Sequence, residues 1–253
     1  GSIVRGAVSS STTDTTAIYA FDSIEFGERW LLNLGVRWDD YSVDGVDAAG
    51  IAIPEARWDF VNYQAGLVYK PTPNSSVYAS FSTASTPPTI QGGDQNGAPS
   101  NGSGNLNGDV LDPEDTESYE IGAKANLFGE RLSLSAALFQ TTRKNAQILV
   151  EDGVYEQAGE AEVRGVELGV SGNITPAWTV FGGYTYMDSE LVRGAYNNVN
   201  VGDPLANTPE HSVSLFSTYR VLSRLTLGGG MAVQRAVAER WKQVTGVTLV
   251  EAY

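Results

Sequence analysis

The sequence has 253 residues and a formal net charge of −14, and 42% of its residues are hydrophobic. It contains no cysteine, which excludes disulfides, thiolate metal sites and cysteine nucleophiles. The acidic balance argues against nucleic acid as a partner, because phosphates require basic side chains. The sequence has no apolar run of about 18 residues, so no transmembrane helix is predicted. The first residues do not follow the pattern of a signal peptide.

Apolar and polar residues alternate along most of the chain, which predicts β-strands rather than helices. The segment 29–41 is typical, because Trp30, Leu34 and Trp38 fall on one face and Asn33 and Arg37 on the other. We predict about eleven strands from this pattern. In chain order they occupy 14–26, 29–41, 57–70, 77–84, 113–127, 131–143, two runs within 163–186, 211–220, 225–235, and a run that begins near Gly246.

The predicted connections alternate between short and long. Tight turns are expected after Phe26, Lys70, Leu127, Asn173 and Arg220. Long loops are expected near 42–56, 85–112, 144–158, 190–209 and 236–246. This is the layout of outer-membrane barrels, which have short periplasmic turns and long extracellular loops. The sequence therefore predicts an all-β fold, an antiparallel transmembrane β-barrel segment of about eleven strands.

In such a barrel, lipid contacts the apolar face of each strand and the lumen contacts the polar face. Large aromatic residues near the strand ends are then expected to form the girdles at the membrane surfaces. We assign this role to Trp38, Trp58, Tyr184 and Tyr186 on the loop side and to Trp178 on the turn side.

Two charged residues, Glu120 and Lys124, are predicted to face the lumen. They lie four residues apart on one strand, too far to pair directly. Each is therefore expected to pair with a neighbouring strand or with a domain that fills the lumen.

Four segments resemble the C-terminal half of the TonB-dependent siderophore receptors, in the same order and with similar spacing. They are PEDTESYEIGAK (113–124), RLSLSAALFQTTRKN (131–145), EVRGVELGVSGNITPAWTVFGGYTYMDSE (162–190) and NTPEHSVSLFSTYR (207–220). The resemblance implies a 22-stranded barrel whose lumen is filled by an N-terminal plug domain. Residues 1–253 would then be part of the barrel domain, without the plug, its TonB box or the closing strands.

The resemblance also implies a function, the uptake of a ferric siderophore across the bacterial outer membrane. The iron chelate would be cargo rather than a cofactor, and no bond would be made or broken, so the protein would not be an enzyme. The implied partners are the siderophore, the lipid of the outer membrane, and the TonB system acting through the plug domain.

Aromatic and arginine residues near the loops are the candidate ligand contacts, because they can stack on an iron chelate or offset its negative charge. The alternative is that they pack loops together or belong to the membrane girdle. The candidates are Arg143, Tyr155, Tyr196, Arg235 and Trp241.

No catalytic or metal site is predicted. The stretch that begins at Asp40 has the start of a calcium loop, but Ile51 stands where a bidentate glutamate is needed. His211 is the only histidine, and nothing marks a nucleophile beside it. Two alternative functions are a passive porin-like channel and a soluble all-β binding protein.

Overall fold

A computed structural model describes residues 10–46, 52–87, 113–151, 154–194, 200–205, 208–235 and 242–251. Within these ranges eleven strands form one sheet, in which strands consecutive in the chain are neighbours and pair antiparallel. No helix in the same ranges is long and apolar enough to cross a membrane. The strands are β1 (Ser10–Phe26), β2 (Trp30–Val46), β3 (Ala52–Thr72), β4 (Ser75–Thr86), β5 (Glu114–Leu127), β6 (Leu132–Glu151), β7 (Val154–Thr175), β8 (Trp178–Arg193), β9 (His211–Leu222), β10 (Leu225–Arg235) and β11 (Lys242–Glu251).

The five predicted tight turns are confirmed, and all five lie at one end of the sheet, which we call the turn side. Left-handed backbone makes two of them possible, with φ of 61° at Gly27 and 67° at Gly129. Phe128 and Glu130 also have positive φ, so three consecutive residues reverse the chain between β5 and β6. The opposite end is the loop side.

On the loop side the strands extend further than the sequence predicted. The segment 144–158, predicted as a loop, continues β6 to Glu151 and begins β7 at Val154. Tyr155 is consequently in a strand, opposite Leu149, and its prediction as a loop residue is wrong. Apolar alternation stops where a strand leaves the membrane, but backbone pairing continues into water, so the pattern marks only the membrane-crossing part.

The register separates the residues of the sheet into two faces. Trp30, Leu34 and Trp38 of β2 stand opposite Tyr69, Ala65 and Val61 of β3, on what we call the outer face. The inner face carries the residues between them, such as Arg37 opposite Asn62. The same division continues through β10, where Leu227 and Met231 stand opposite Tyr219 and Leu215 on the outer face.

The apolar side chains of the outer face are not covered by a second layer. Leu138 is 55% exposed and Ile121 is 53% exposed, although both lie well inside their strands and away from the ends. Few hydrophobic residues are buried in the described ranges, and none of the largest side chains is fully so. A β-sandwich would bury this face against a second sheet, so the exposed apolar belt favours contact with lipid.

Candidate functional site

The outer face ends in aromatic residues on both sides of its apolar belt. On the turn side, the rings of Trp30 and Tyr69 lie 4.5 Å apart, and the Trp178 Nε1–H donates a hydrogen bond to Ser217 Oγ at 2.8 Å. Trp38 lies on the outer face of the loop side, opposite Ile18 and Val61. Because indole and phenol rings combine an apolar body with a polar group, this arrangement suits the two membrane surfaces.

Tyr184 and Tyr186 also lie on the outer face of the loop side, where they surround His211. The Tyr184 hydroxyl is 2.9 Å from His211 Nδ1, and the centroid of the Tyr186 ring is 5.2 Å from that of the imidazole. The sequence identified both tyrosines but gave no reason to join them to the histidine. His211 is thus a member of the loop-side aromatic band rather than an isolated strand-end residue.

Trp58 does not lie on the face that the sequence analysis assigned to it. It stands opposite Tyr41 on the inner face, is 8% exposed, and its ring centroid is 5.9 Å from that of Tyr41. The physical reason is parity. The outer face of β3 takes the odd positions from Val61 to Tyr69, so an even-numbered residue points inward. The girdle prediction for Trp58 is therefore wrong.

Arg235 lies on the outer face, whereas Trp58 lies on the inner face. It stands opposite His211, on the same face as Val233 and Met231 of its own strand. That face is the outer one, so Arg235 belongs to the loop-side rim of the outer face and not to the interior of the mouth. The register does not test contact with a ligand, so the role of Arg235 as a ligand contact stays a prediction.

Arg143 lies on the inner face of β6, in the loop-side half of that strand. Its Nε donates a hydrogen bond to Glu114 Oε2 at 2.6 Å, and its Nη2 pairs with the same oxygen. Glu114 is 8% exposed, so the pair fixes the guanidinium against the wall. Tyr196 and Trp241 lie outside the described residues, and so does the side chain of Tyr155.

A second ion pair lies next to the inner aromatic pair. Arg37 Nη2 is 2.7 Å from Asp39 Oδ1, and the two residues follow one another along the inner face of β2 toward Tyr41. Asp39 is 5% exposed. We define the inner mouth by these residues together with the Arg143 pair: Arg37, Asp39, Tyr41, Trp58, Glu114 and Arg143. Tyr41 was not predicted as a site residue, although its odd position in β2 places it on the inner face.

Deeper on the inner face, Glu120 and Lys124 are joined through Tyr78 of β4. The Tyr78 hydroxyl donates a hydrogen bond to Glu120 Oε1 at 2.6 Å, and Lys124 Nζ lies 5.4 Å from the centre of the tyrosine ring. Gly122 makes this possible, because a Cβ there would lie only 2.5 Å from Tyr78 Oη. Both charged residues thus contact a neighbouring strand, in the way that the sequence predicted.

Beyond the loop-side aromatics, the outer face changes from apolar to charged. Ion pairs bridge neighbouring strands between Arg57 and Asp40, between Lys144 and Glu117 at 2.9 Å, and between Arg164 and Asp188 at 3.0 Å. We call these three pairs the outer charged band. They mark the level at which the strands have left the apolar layer.

Within this band the ion pairs shift the pKa of their members. Hydrogen bonds from Arg57 favour the charged carboxylate of Asp40 and hold its pKa below the usual value. In the same way, the Glu117 carboxylate accepts a hydrogen bond from Lys144 and raises the pKa of that ammonium group. Both shifts favour the ionised pair. Among the described residues, no group of three His, Asp or Glu side chains is arranged to hold a metal ion.

Comparison with known proteins shows which family has this architecture. A family model described as "TonB dependent receptor-like, beta-barrel" matches residues 2–253. The chain is 44% identical over 225 residues to a probable TonB-dependent receptor, BfrD, of Bordetella pertussis. This alignment covers 86% of the chain and 30% of that protein. It is 35% identical over 254 residues to the catecholate siderophore receptor Fiu of Escherichia coli O157:H7, in an alignment that covers 91% of the chain and 33% of that protein.

Solved structures agree with these relatives. The ferric-catecholate import receptor Fiu of E. coli K12 superposes with a TM-score of 0.78 at 29% identity, over 94% of this chain and 38% of that one. The siderophore receptor PiuA of Acinetobacter baumannii superposes with a TM-score of 0.77 at 32% identity, over 94% of this chain and 36% of that one. The chain spans about a third of the length of the relatives that it matches.

Proposed function

The chain belongs to the TonB-dependent receptor family, as part of its outer-membrane β-barrel, and from that premise we propose that the protein takes up a ferric siderophore. Two of the relatives that the chain matches are named as siderophore receptors. The observation that carries the proposal is the division of one sheet into an exposed apolar face and a polar face with a rigid aromatic and charged mouth. A soluble binding protein would have no use for the first of these faces.

The inner mouth supplies the chemistry that an iron chelate requires. The rings of Tyr41 and Trp58 pack against each other and are 4% and 8% exposed, so they form a fixed apolar base for the mouth rather than open stacking surfaces. Arg37 and Arg143 offer positive charge against an anionic complex, and their paired carboxylates hold each guanidinium in place. Ligand binding here is recognition without reaction, so the proposal includes no catalytic step.

Movement of the ligand across the membrane would depend on parts of the full-length protein outside this chain. We propose that a plug domain fills the lumen and relays energy from the TonB system. The inner face around Tyr78, Glu120 and Lys124 would then be wall facing the plug, since these residues lie deeper than the mouth. In this arrangement the barrel holds the ligand and the plug moves.

The test is uptake of radioactive iron by cells that express the full-length receptor and lack siderophore receptors of their own. Ferric catecholate and ferric hydroxamate complexes would be offered to hosts with and without TonB. We expect accumulation of one class of complex only in the host with TonB. Equal accumulation in both hosts, together with steady conductance of the purified protein in planar bilayers, would instead identify a passive channel.

A further inference from the structure

One carboxylate lies where the outer face should be purely apolar. Asp22 of β1 stands opposite Leu34, which is flanked on the same face by Trp30 and Trp38, each four residues away. Four residues of a strand span about 14 Å, and strand tilt reduces this to about 10 Å of height. Asp22 is therefore close to the middle of an apolar band that is about 25 Å tall in outer-membrane barrels.

The assignment of Asp22 to the outer face does not depend on one contact. On the same strand, Tyr19 stands opposite Arg37, and the Ser23 hydroxyl donates a hydrogen bond to Asn33 Oδ1 at 2.7 Å, both on the inner face. Successive residues of a strand point to opposite faces. Asp22 must then share its face with Ile24 and with the apolar residues of β2.

The neighbours of Asp22 on this face cannot satisfy a carboxylate. Ala20 and Ile24 lie on either side along β1, and Leu34 lies across the ladder. In the described part of the chain, the Asp22 carboxylate accepts a hydrogen bond from the backbone N–H of Ser23, at 2.9 Å. A charge at the centre of the lipid-facing surface destabilises a barrel, so an acidic residue there requires a partner.

The free edge of β1 indicates where that partner lies. In the described ranges β1 pairs with β2 alone, yet backbone groups within a membrane must be satisfied by a neighbouring strand. The relatives are about three times as long as this chain and so have enough sequence for further strands. A side chain on such a strand, outward-facing and in register with Asp22, would be about 5 Å away.

We propose that, in the full-length receptor, the strand that pairs with the free edge of β1 places a lysine, arginine or histidine opposite Asp22. The two residues form an ion pair on the lipid-facing surface, halfway between the two aromatic girdles. The pair aligns the strands across this seam, because a shift of register by one residue would move the cation to the lumen and leave Asp22 alone in lipid. The proposal rests on the barrel membership stated above, but not on siderophore uptake.

The sign of a stability change tests the pair. We would fold the full-length receptor into phosphatidylcholine vesicles and measure its unfolding in guanidinium by the mobility of the folded barrel on unheated gels. Asp22→Leu should lower the folding equilibrium constant about tenfold or more, because it leaves the opposing cation unpaired. The matched control, Ala20→Leu, adds apolar surface to the same face of the same strand and should leave stability unchanged or higher.

A double variant separates an ion pair from other causes. If Asp22 and the opposing cation are both replaced by leucine, stability should return to that of the parent protein or exceed it. An increase in stability for Asp22→Leu alone would overturn the proposal and leave Asp22 facing lipid or another membrane protein. A neutral side chain at the outward-facing position opposite Asp22 would overturn it as well. Iron uptake is not the readout, so either result leaves the uptake proposal standing.

Discussion

The loop-side end of the outer face, which we call the outer rim, and the inner mouth lie at the same end of the same strands. Both are built from aromatic and charged residues. Trp38 and Trp58 are on neighbouring strands, yet the first faces outward beside Val61 and the second faces inward against Tyr41. Arg235 and Arg143 differ in the same way, because one stands opposite His211 on the rim and the other is bound to Glu114 in the mouth. In a single-layer sheet, the position of a residue in the register decides whether it contacts lipid or ligand.

The largest effect on stability should come from an arginine placed at mid-height on the outer face, and the same residue on the inner face should have little effect. Leu138→Arg puts a guanidinium on the exposed outer face and should cost about 2–4 kcal/mol of folding free energy in lipid vesicles. Ala137→Arg is the matched control, because it lies on the inner face opposite Glu167 and should change stability by about 0.5 kcal/mol or less. Equal losses for the two variants would contradict the assignment of the faces.

The next effect concerns the inner wall. Gly122→Val would force a side chain into the space of the Tyr78 hydroxyl and break its hydrogen bond to Glu120, at a cost of about 1–3 kcal/mol. Gly183→Ala is the control, because a Cβ there meets its nearest neighbour, the Leu168 carbonyl oxygen, at 3.6 Å. Unfolding in guanidinium measures both. Similar stability of the two variants would show that the tyrosine moves aside freely.

A smaller effect should distinguish the two tryptophans by ligand affinity. Trp58→Leu removes half of the buried aromatic pair that supports the inner mouth, so the groups around it should shift and binding of the ferric siderophore should weaken about tenfold. Trp38→Leu should leave the affinity unchanged and alter only insertion or stability, because its ring faces outward. Titration of the full-length receptor with the siderophore measures both affinities. Loss of affinity in the Trp38 variant alone would invert our assignment.

The smallest effect concerns the outer charged band. Arg57 lowers the pKa of Asp40, so the pair stabilises the folded state above the unfolded pKa, and this contribution is lost as pH falls through the folded pKa. Asp40→Asn should therefore be slightly less stable than the parent at pH 6 and should match it well below pH 3.8. The two proteins would be compared by unfolding at both pH values. A difference that persists in acid would contradict an electrostatic origin.

Much of this arrangement could be predicted from the sequence. The alternation in 29–41 fixes both faces of β2, and the short glycine or proline turns fix the turn side. The sequence could not show that β6 continues past Arg143 to Glu151 and that β7 begins as early as Val154, because strands in water lose their apolar pattern while their backbones stay paired. Nor could residue type alone place Trp58 or Arg235, since aromatic and arginine residues suit both a membrane surface and a binding site.

The contacts within the site depend on neighbours that are distant in the chain. Tyr78 joins Glu120 across a separation of 42 residues, and Arg143 joins Glu114 across 29. Each contact requires a register between strands that no local pattern specifies. Two of these four residues, Glu120 and Arg143, were named from the sequence, but neither pair could be identified.

The most direct test of the two faces uses the fluorescence of two single-tryptophan receptors. One retains only Trp58 and the other only Trp38, with the remaining tryptophans replaced by phenylalanine, and each is exposed to brominated lipid and to the ferric siderophore. We predict that brominated lipid quenches Trp38 and that the siderophore quenches Trp58. Quenching of Trp58 by the lipid, with no response to the siderophore, would contradict the separation of a lipid-facing rim from a ligand-binding mouth.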